Sequence, residues 1–389
     1  MLKYVDRRGT NCSKWDALEA MYGDKDLLAM WVADMDFEIA EPIRKAVGNY
    51  VDNVPWGYYD PSPSYKQAFI DWEKKYHGYE VKPEWICFSN GIVSAFYWVT
   101  CMAAKPGEAV ILLAPIYYPM MNGVNFNGRK LVLCDMIHEG NTYRVDYEKF
   151  EKQIVENDVK LFIMSSPHNP VGKIWTKEEL KTLMDICRRH NVLVVSDEIH
   201  QDFEWNGHVH TPTATVGDYD DMLITMCAVS KTFNLASCQN SFIIIPDEKL
   251  REQYLTFARN VHGTDGNGFG YVAVEAACRE GRPWFEEVKK QIWENYCYVR
   301  DTFAKELPDV TVADLQGTYL LWLDFGKYFK TQEEIKEFMQ GKCKLAFDYG
   351  NWFGRGGDDY CEFVRMNLAT SLENAPARFA LPRTSGPRS

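Results

Sequence analysis

Between residues 85 and 280 the chain alternates short, uniformly apolar runs with longer stretches of helical periodicity, and this alternation restricts its fold more than any other feature. The runs are Ala109-Val110-Ile111-Leu112-Leu113, Leu131-Val132-Leu133, Leu161-Phe162-Ile163-Met164, Val192 to Val195, Met222 to Val229 and Phe242-Ile243-Ile244-Ile245. Apolar residues at every position, rather than every second one, suit strands covered on both faces. Among the intervening stretches, Thr176-Lys177-Glu178-Glu179 carries a capping-box pattern, and Leu180, Leu183, Met184 and Cys187 then share one helical face. The order predicts an α/β fold with a mostly parallel sheet between helices, and such sheets bind ligands at the carboxyl ends of their strands. A second region opens at Pro283-Trp284, a helix start that continues as a charged amphipathic stretch through Lys305-Glu306. After it, Gly317 to Asp324 and Phe363 to Leu368 read as strands of a smaller α+β domain.

Composition excludes several classes. Of 389 residues, 46% are hydrophobic and 25% charged, enough to bury a substantial core. The formal charge of -12, with no basic stripe, argues against nucleic acid, whose phosphates require clustered Lys and Arg. Eleven cysteines without a Cys-x-x-Cys pair suggest neither a disulfide framework nor a zinc site, and reduced thiols in a cytoplasm are the expectation. His208-Val209-His210 has a metal-like spacing but no evident third ligand, so no metal is expected. No run approaches the roughly twenty apolar residues of a membrane span, and the N-terminus lacks an apolar signal core. A soluble chain away from membranes is expected.

Three polar motifs punctuate the apolar runs in a fixed order: Ser165-Ser166-Pro167-His168-Asn169-Pro170-Val171-Gly172, then Val195-Ser196-Asp197-Glu198-Ile199-His200, then Ser230-Lys231-Thr232-Phe233-Asn234. Singly, each has an ordinary reading: lysines are mostly solvated surface charges, and a strand-end Asp often only caps the next helix. Together they resemble the active-site series of fold-type-I, pyridoxal phosphate (PLP) dependent enzymes of the class I/II aminotransferase family. The resemblance narrows at the N-terminus. Asp6 to Asn11, Lys14-Trp15-Asp16 and Trp31-Val32-Ala33-Asp34-Met35-Asp36-Phe37 are similar to the cystathionine β-lyase, or C–S lyase, branch of the MalY/PatB type.

The resemblance implies an aspartate aminotransferase-like large domain with a mostly parallel seven-stranded sheet, plus a small α+β domain. The expected boundaries are 46–285 for the large domain and 286–389 for the small one, which residues 1–45 join. It also implies roles. Lys231 is the amine that captures the cofactor aldehyde and later moves the substrate Cα proton; Asp197 holds the pyridine nitrogen protonated; Asn169, through a cis Asn-Pro turn, contacts the ring hydroxyl. His200 stands where much of the family has tyrosine. Ile92 and Val93, after Ser89-Asn90-Gly91, offer amides to the phosphate, joined by the Ser230 hydroxyl. Tyr117 stacks on the ring. Arg365 clamps the substrate α-carboxylate, with Ala33 and Tyr118 lining the substrate site. Tyr58, in Trp56-Gly57-Tyr58-Tyr59, reaches the neighbouring subunit's phosphate, so a homodimer is the expected unit. The implied reaction is α,β-elimination on L-cystathionine or another L-cysteine S-conjugate, giving thiol, pyruvate and ammonia. Transamination of an L-amino acid is the alternative, and a PLP-binding regulator of a protein partner is a third reading.

The chain departs from the pattern in three places. Gln239 replaces the arginine that many aminotransferases carry eight residues after the lysine, and Ser237-Cys238 replaces a usual glycine and leucine. After Asn374, Ala375-Pro376 and an arginine- and proline-rich tail cannot continue the family's closing amphipathic helix.

Overall fold

A computed structural model describes residues 2–373 and divides the chain into two compact units. The larger comprises Ile39–Glu287 with Asp314–Thr318; the smaller comprises the residues up to Glu38, Val288–Ala313, and those from Tyr319 onward. The atypical tail, from Ala375, lies outside the described residues.

The larger unit is built on seven strands: β1 (Ile86–Ser89), β2 (Ala109–Ala114), β3 (Lys130–Asp135), β4 (Leu161–Ser165), β5 (Leu193–Asp197), β6 (Leu223–Cys227) and β7 (Ser241–Ile244). Their spatial order is β1-β7-β6-β5-β4-β2-β3. All neighbours are parallel except β7, which runs against both β1 and β6. Every residue of β2, β4 and β6 is buried, which is why their sequences show no alternation. The helix Lys177–Arg189 begins on a complete capping box: the Thr176 hydroxyl accepts from the Glu179 amide at 3.1 Å, and the Glu179 carboxylate accepts from the Thr176 amide at 2.9 Å. Its buried face is Leu180, Leu183, Met184, Ile186 and Cys187.

In the smaller unit, a four-stranded antiparallel sheet has the order Thr311–Val312, Leu320–Asp324, Phe363–Asn367, Asp348–Tyr349. The run expected to be strand from Gly317 becomes regular only at Leu320, because Thr318 takes a left-handed φ of 66° that interrupts the extended chain. Trp322 stacks on Phe363 with ring centroids 5.0 Å apart. The helix Arg282–Glu306 buries Phe285, Val288, Ile292, Tyr296, Val299 and Phe303, a three- and four-residue spacing that gives it a continuous apolar stripe. No helix among the described residues is long and apolar enough to cross a membrane, and none of the eleven cysteines is in a disulfide.

The N-terminal motif folds around a buried ion pair. The Lys14 ammonium lies 2.7 Å from the Asp36 carboxylate and donates to the Asp34 carbonyl at 3.1 Å, while the Trp15 indole donates to Asp36 at 2.9 Å. Both charged side chains are essentially inaccessible to water. Removing one partner strands the other charge in a dry interior. Lys14→Met is therefore expected to lower stability by about 3–5 kcal/mol, read as a lower urea midpoint, and the double variant Lys14→Met/Asp36→Leu should recover most of that loss.

Candidate active site

The three polar motifs fall at the carboxyl ends of β4, β5 and β6, three neighbouring parallel strands. Ser165 and Asp197 are direct partners in the β4–β5 register, and the Ser166 amide donates to the Asp197 carbonyl at 2.8 Å. From there the chain turns through His168 to Asn169. Both are buried, and the Asn169–Pro170 bond is cis. The Asn169 carbonyl accepts from the Tyr117 amide at 3.2 Å, which ties the turn to the start of the helix Tyr118–Asn125. Burial pushes the His168 imidazole down to about 4, so it is neutral at physiological pH, with Nε2 2.9 Å from the Pro115 carbonyl.

Asp197 is buried at the end of β5, and its carboxylate accepts from the Ile199 amide at 3.1 Å. Burial pushes this carboxyl up to about 7, against the Ile199 hydrogen bond; the Glu198 charge adds to the rise and the Lys231 charge opposes it. Lys231 and Ser230 are half-buried in the turn after β6, which is closed by Phe233 N–H to the Val229 carbonyl at 2.9 Å and Leu235 N–H to the Ser230 carbonyl at 3.0 Å. His200 is buried three residues after the end of β5. Ile92 and Val93 are the first two residues of the helix Ile92–Ala103, whose N-cap, Gly91, brings no capping side chain. Their amides lie at the positive end of that helix. Tyr117 and Tyr118 are half-buried, their rings 5.3 Å apart, whereas Tyr58 is fully exposed beside the largely exposed Trp56.

Arg365 and Ala33 belong to the smaller unit. Arg365 is buried on the strand Phe363–Asn367, donates to the Trp31 carbonyl at 3.2 Å and pairs with the Asp348 carboxylate. The Asn367 amide holds the loop bearing Ala33 through the Val32 and Asp34 carbonyls, at 2.6 and 2.7 Å.

Pyridoxal phosphate fits the donor set of the larger unit. An uncapped helix start suits its phosphate, a carboxylate raised by burial gains from a ring cation beside it, and a lysine in electrostatic reach of that carboxylate suits its aldehyde. Gln239, on a left-handed turn with φ 45°, is exposed and brings no cation.

The sequence pattern did not reveal everything around these residues. His210, which the sequence marks only by its metal-like spacing from His208, is buried with Nε2 3.1 Å from the Glu198 carboxylate, while His208 lies 3.8 Å from Asp314. Among the described residues no cluster of three potential metal ligands occurs. Asp202, Glu73 and the His77 side chain are also buried within electrostatic reach of one another. Asp202 could have been suspected from the dense polar run Asp197-Glu198-Ile199-His200-Gln201-Asp202. Glu73 and His77 sit in an ordinary charged helical stretch that gave no signal.

The parallel sheet with a lysine, a buried aspartate and a cis Asn-Pro turn at its carboxyl edge defines an aminotransferase-fold protein. The description "Aminotransferase class I and II" matches residues 52–377, and the chain belongs to that family. It is 38% identical to cystathionine beta-lyase PatB of Bacillus subtilis, over 95% of each chain. Among solved structures it is similar to a PLP-bound putative aminotransferase of Clostridium difficile (TM-score 0.92, 36% identity, 96% of each chain). It is equally similar in fold to cystalysin of Treponema denticola, which contains PLP (TM-score 0.92, 31% identity, 96% and 95%).

The raised carboxyl of Asp197 has a consequence for the cofactor-free protein. An unfolded aspartate releases its proton near pH 4, the folded one near 7, so between these values the folded state holds the extra proton and its stability falls as pH rises. Asp197→Asn should flatten this slope, gaining about 1–3 kcal/mol on the parent between pH 5 and pH 8 in urea unfolding of the apoprotein.

Proposed function

We propose that the chain is a PLP-dependent carbon–sulfur β-lyase that cleaves L-cystathionine or another L-cysteine S-conjugate. The carrying observation is Lys231 within electrostatic reach of the buried Asp197, each following one of two neighbouring strands, in a chain 38% identical to a cystathionine beta-lyase. When bound, PLP supplies a protonated ring that accepts the electron pair left at the substrate Cα. Asp197 would keep that ring charged, Asn169 would orient it, and Tyr117 would supply the aromatic surface for stacking. The amides of Ile92 and Val93 and the Ser230 hydroxyl would hold the phosphate, and His200 would help to hold the cofactor. Lys231 takes the Cα proton, and the thiolate then leaves from Cβ. For cystathionine and one water, the products balance as homocysteine, pyruvate and ammonia.

Arg365 is proposed to bind the α-carboxylate, with Ala33 and Tyr118 beside the substrate; its burial on a regular strand supports a fixed role. The full exposure of Tyr58 supports a homodimer in which that ring serves the partner's site. A reducing, cytoplasmic setting is supported by eleven thiols without a disulfide. Transamination is the second reading, favoured by the family description and by the structural neighbour described as a putative aminotransferase.

Pyruvate release from L-cystathionine by PLP-loaded protein, with no keto acid present, tests the proposal. Release is expected from the parent and not from Lys231→Ala. Amino transfer that requires an added keto acid, without pyruvate release, would instead establish transamination.

A further inference from the structure

We propose that Thr232, held by a buried Asp202–His77 pair, is a positioning residue that fixes Lys231 relative to Asp197. The inference rests on the reading of Lys231 and Asp197 as cofactor-holding residues. Thr232 follows Lys231 directly and is completely buried. Its hydroxyl donates to one oxygen of Asp202. The other oxygen of Asp202 accepts from the Trp72 indole at 2.9 Å and lies 2.9 Å from His77 Nε2. Asp202 is in the turn that continues from Asp197, closed by Gln201 N–H to the Glu198 carbonyl at 3.0 Å and Phe203 N–H to the His200 carbonyl at 3.0 Å. A side-chain hydrogen bond therefore joins the turn carrying Lys231 to the turn leaving Asp197.

The surroundings keep this bond in place. Glu198, next to Asp197, is held by His210 at 3.1 Å, by the Thr213 amide at 2.9 Å and by the Ser196 hydroxyl at 2.9 Å. Glu73 accepts from the Gln201 side chain at 2.5 Å. Around His77 stand Asp202, Glu73 from its own helix, Glu204, and the His210 ring, whose centroid is 5.9 Å away. Burial works against a charged His77, but the Asp202 hydrogen bond and charge, with Glu73 and Glu204, prevail and push it up to about 9. The pair is ionic at neutral pH. A buried ion pair is seldom the most stable filling for a core, and an apolar replacement would pack as well. What it supplies here is direction: a carboxylate with three partners admits one placement of the Thr232 hydroxyl and hence of the backbone at 231–232.

The test uses the PLP-loaded protein and two readouts, the pH midpoint of the visible absorption band of lysine-bound cofactor and steady-state kinetics with L-cystathionine. Thr232→Val keeps the shape of the side chain and removes the donor. It is expected to move the midpoint by about half a pH unit or more and to lower kcat about 10-fold, with KM within about 2-fold. Thr232→Ser, which restores the hydroxyl, should return both to parental values, and His77→Gln should move the midpoint in the same direction as Thr232→Val. Should Thr232→Val fail to fold, Thr232→Ala is read in the same way. A loss-of-hydroxyl variant with parental midpoint and kcat would overturn the proposal, as would a Thr232→Ser variant as impaired as Thr232→Val. A parent protein that forms no lysine-bound band would overturn the cofactor reading as well, which separates the two failures.

Discussion

A carboxylate taken out of water must find a cation or several hydrogen-bond donors, and the larger unit is organised around meeting that demand at one edge of its sheet. Asp197, Glu198 and Asp202 are all buried within six residues of the end of β5. Glu198 and Asp202 are satisfied by histidines, His210 and His77, that come from elsewhere in the chain. Asp197 has one amide donor and a neighbouring lysine charge, and its proton affinity rises accordingly. The carboxylate least well compensated by the protein, Asp197, is the one proposed above to face an external cation, whereas its two chemically similar neighbours have partners within the chain.

The smaller unit solves the same problem twice. Lys14 neutralises Asp36 where the N-terminal segment packs, and Arg365 neutralises Asp348 across two paired strands. Burial pushes the Asp348 carboxyl up to about 6 while Arg365 pulls it back, so the guanidinium has an internal partner. On the role proposed for Arg365, a substrate carboxylate would share the guanidinium with this internal partner.

Much of this arrangement was legible in the sequence because it depends on local chemistry. Uniformly apolar runs announce strands covered on both faces, Thr176 and Glu179 announce a helix start, and polar residues can only follow such strands where the chain leaves the core. The strand-end positions of Lys231, Asp197 and Asn169 were legible for that reason, while the roles proposed for them came from the family resemblance. The rest depends on partners distant in sequence. His77 pairs with Asp202 across 125 positions, Arg365 with Asp348 through strand pairing, and nothing local marks His77 or Asp348 as buried. The late start of the strand at Leu320 was hidden similarly, since nothing about a threonine announces a left-handed backbone.

Of the eleven thiols, seven are buried and four, Cys101, Cys238, Cys278 and Cys297, are half-buried. Burial pushes Cys87 up to about 12 and drives Cys187 and Cys227 further in the same direction, so these interior sulfurs stay in the acid form. Thiolate is the form that exchanges and oxidises. A protein surrounded by a thiol such as homocysteine, and by the disulfides that thiol forms in air, thus offers few sulfurs for mixed-disulfide formation. With none of its eleven cysteines in a disulfide, the fold has no such cross-link for the thiol of its proposed product to reduce.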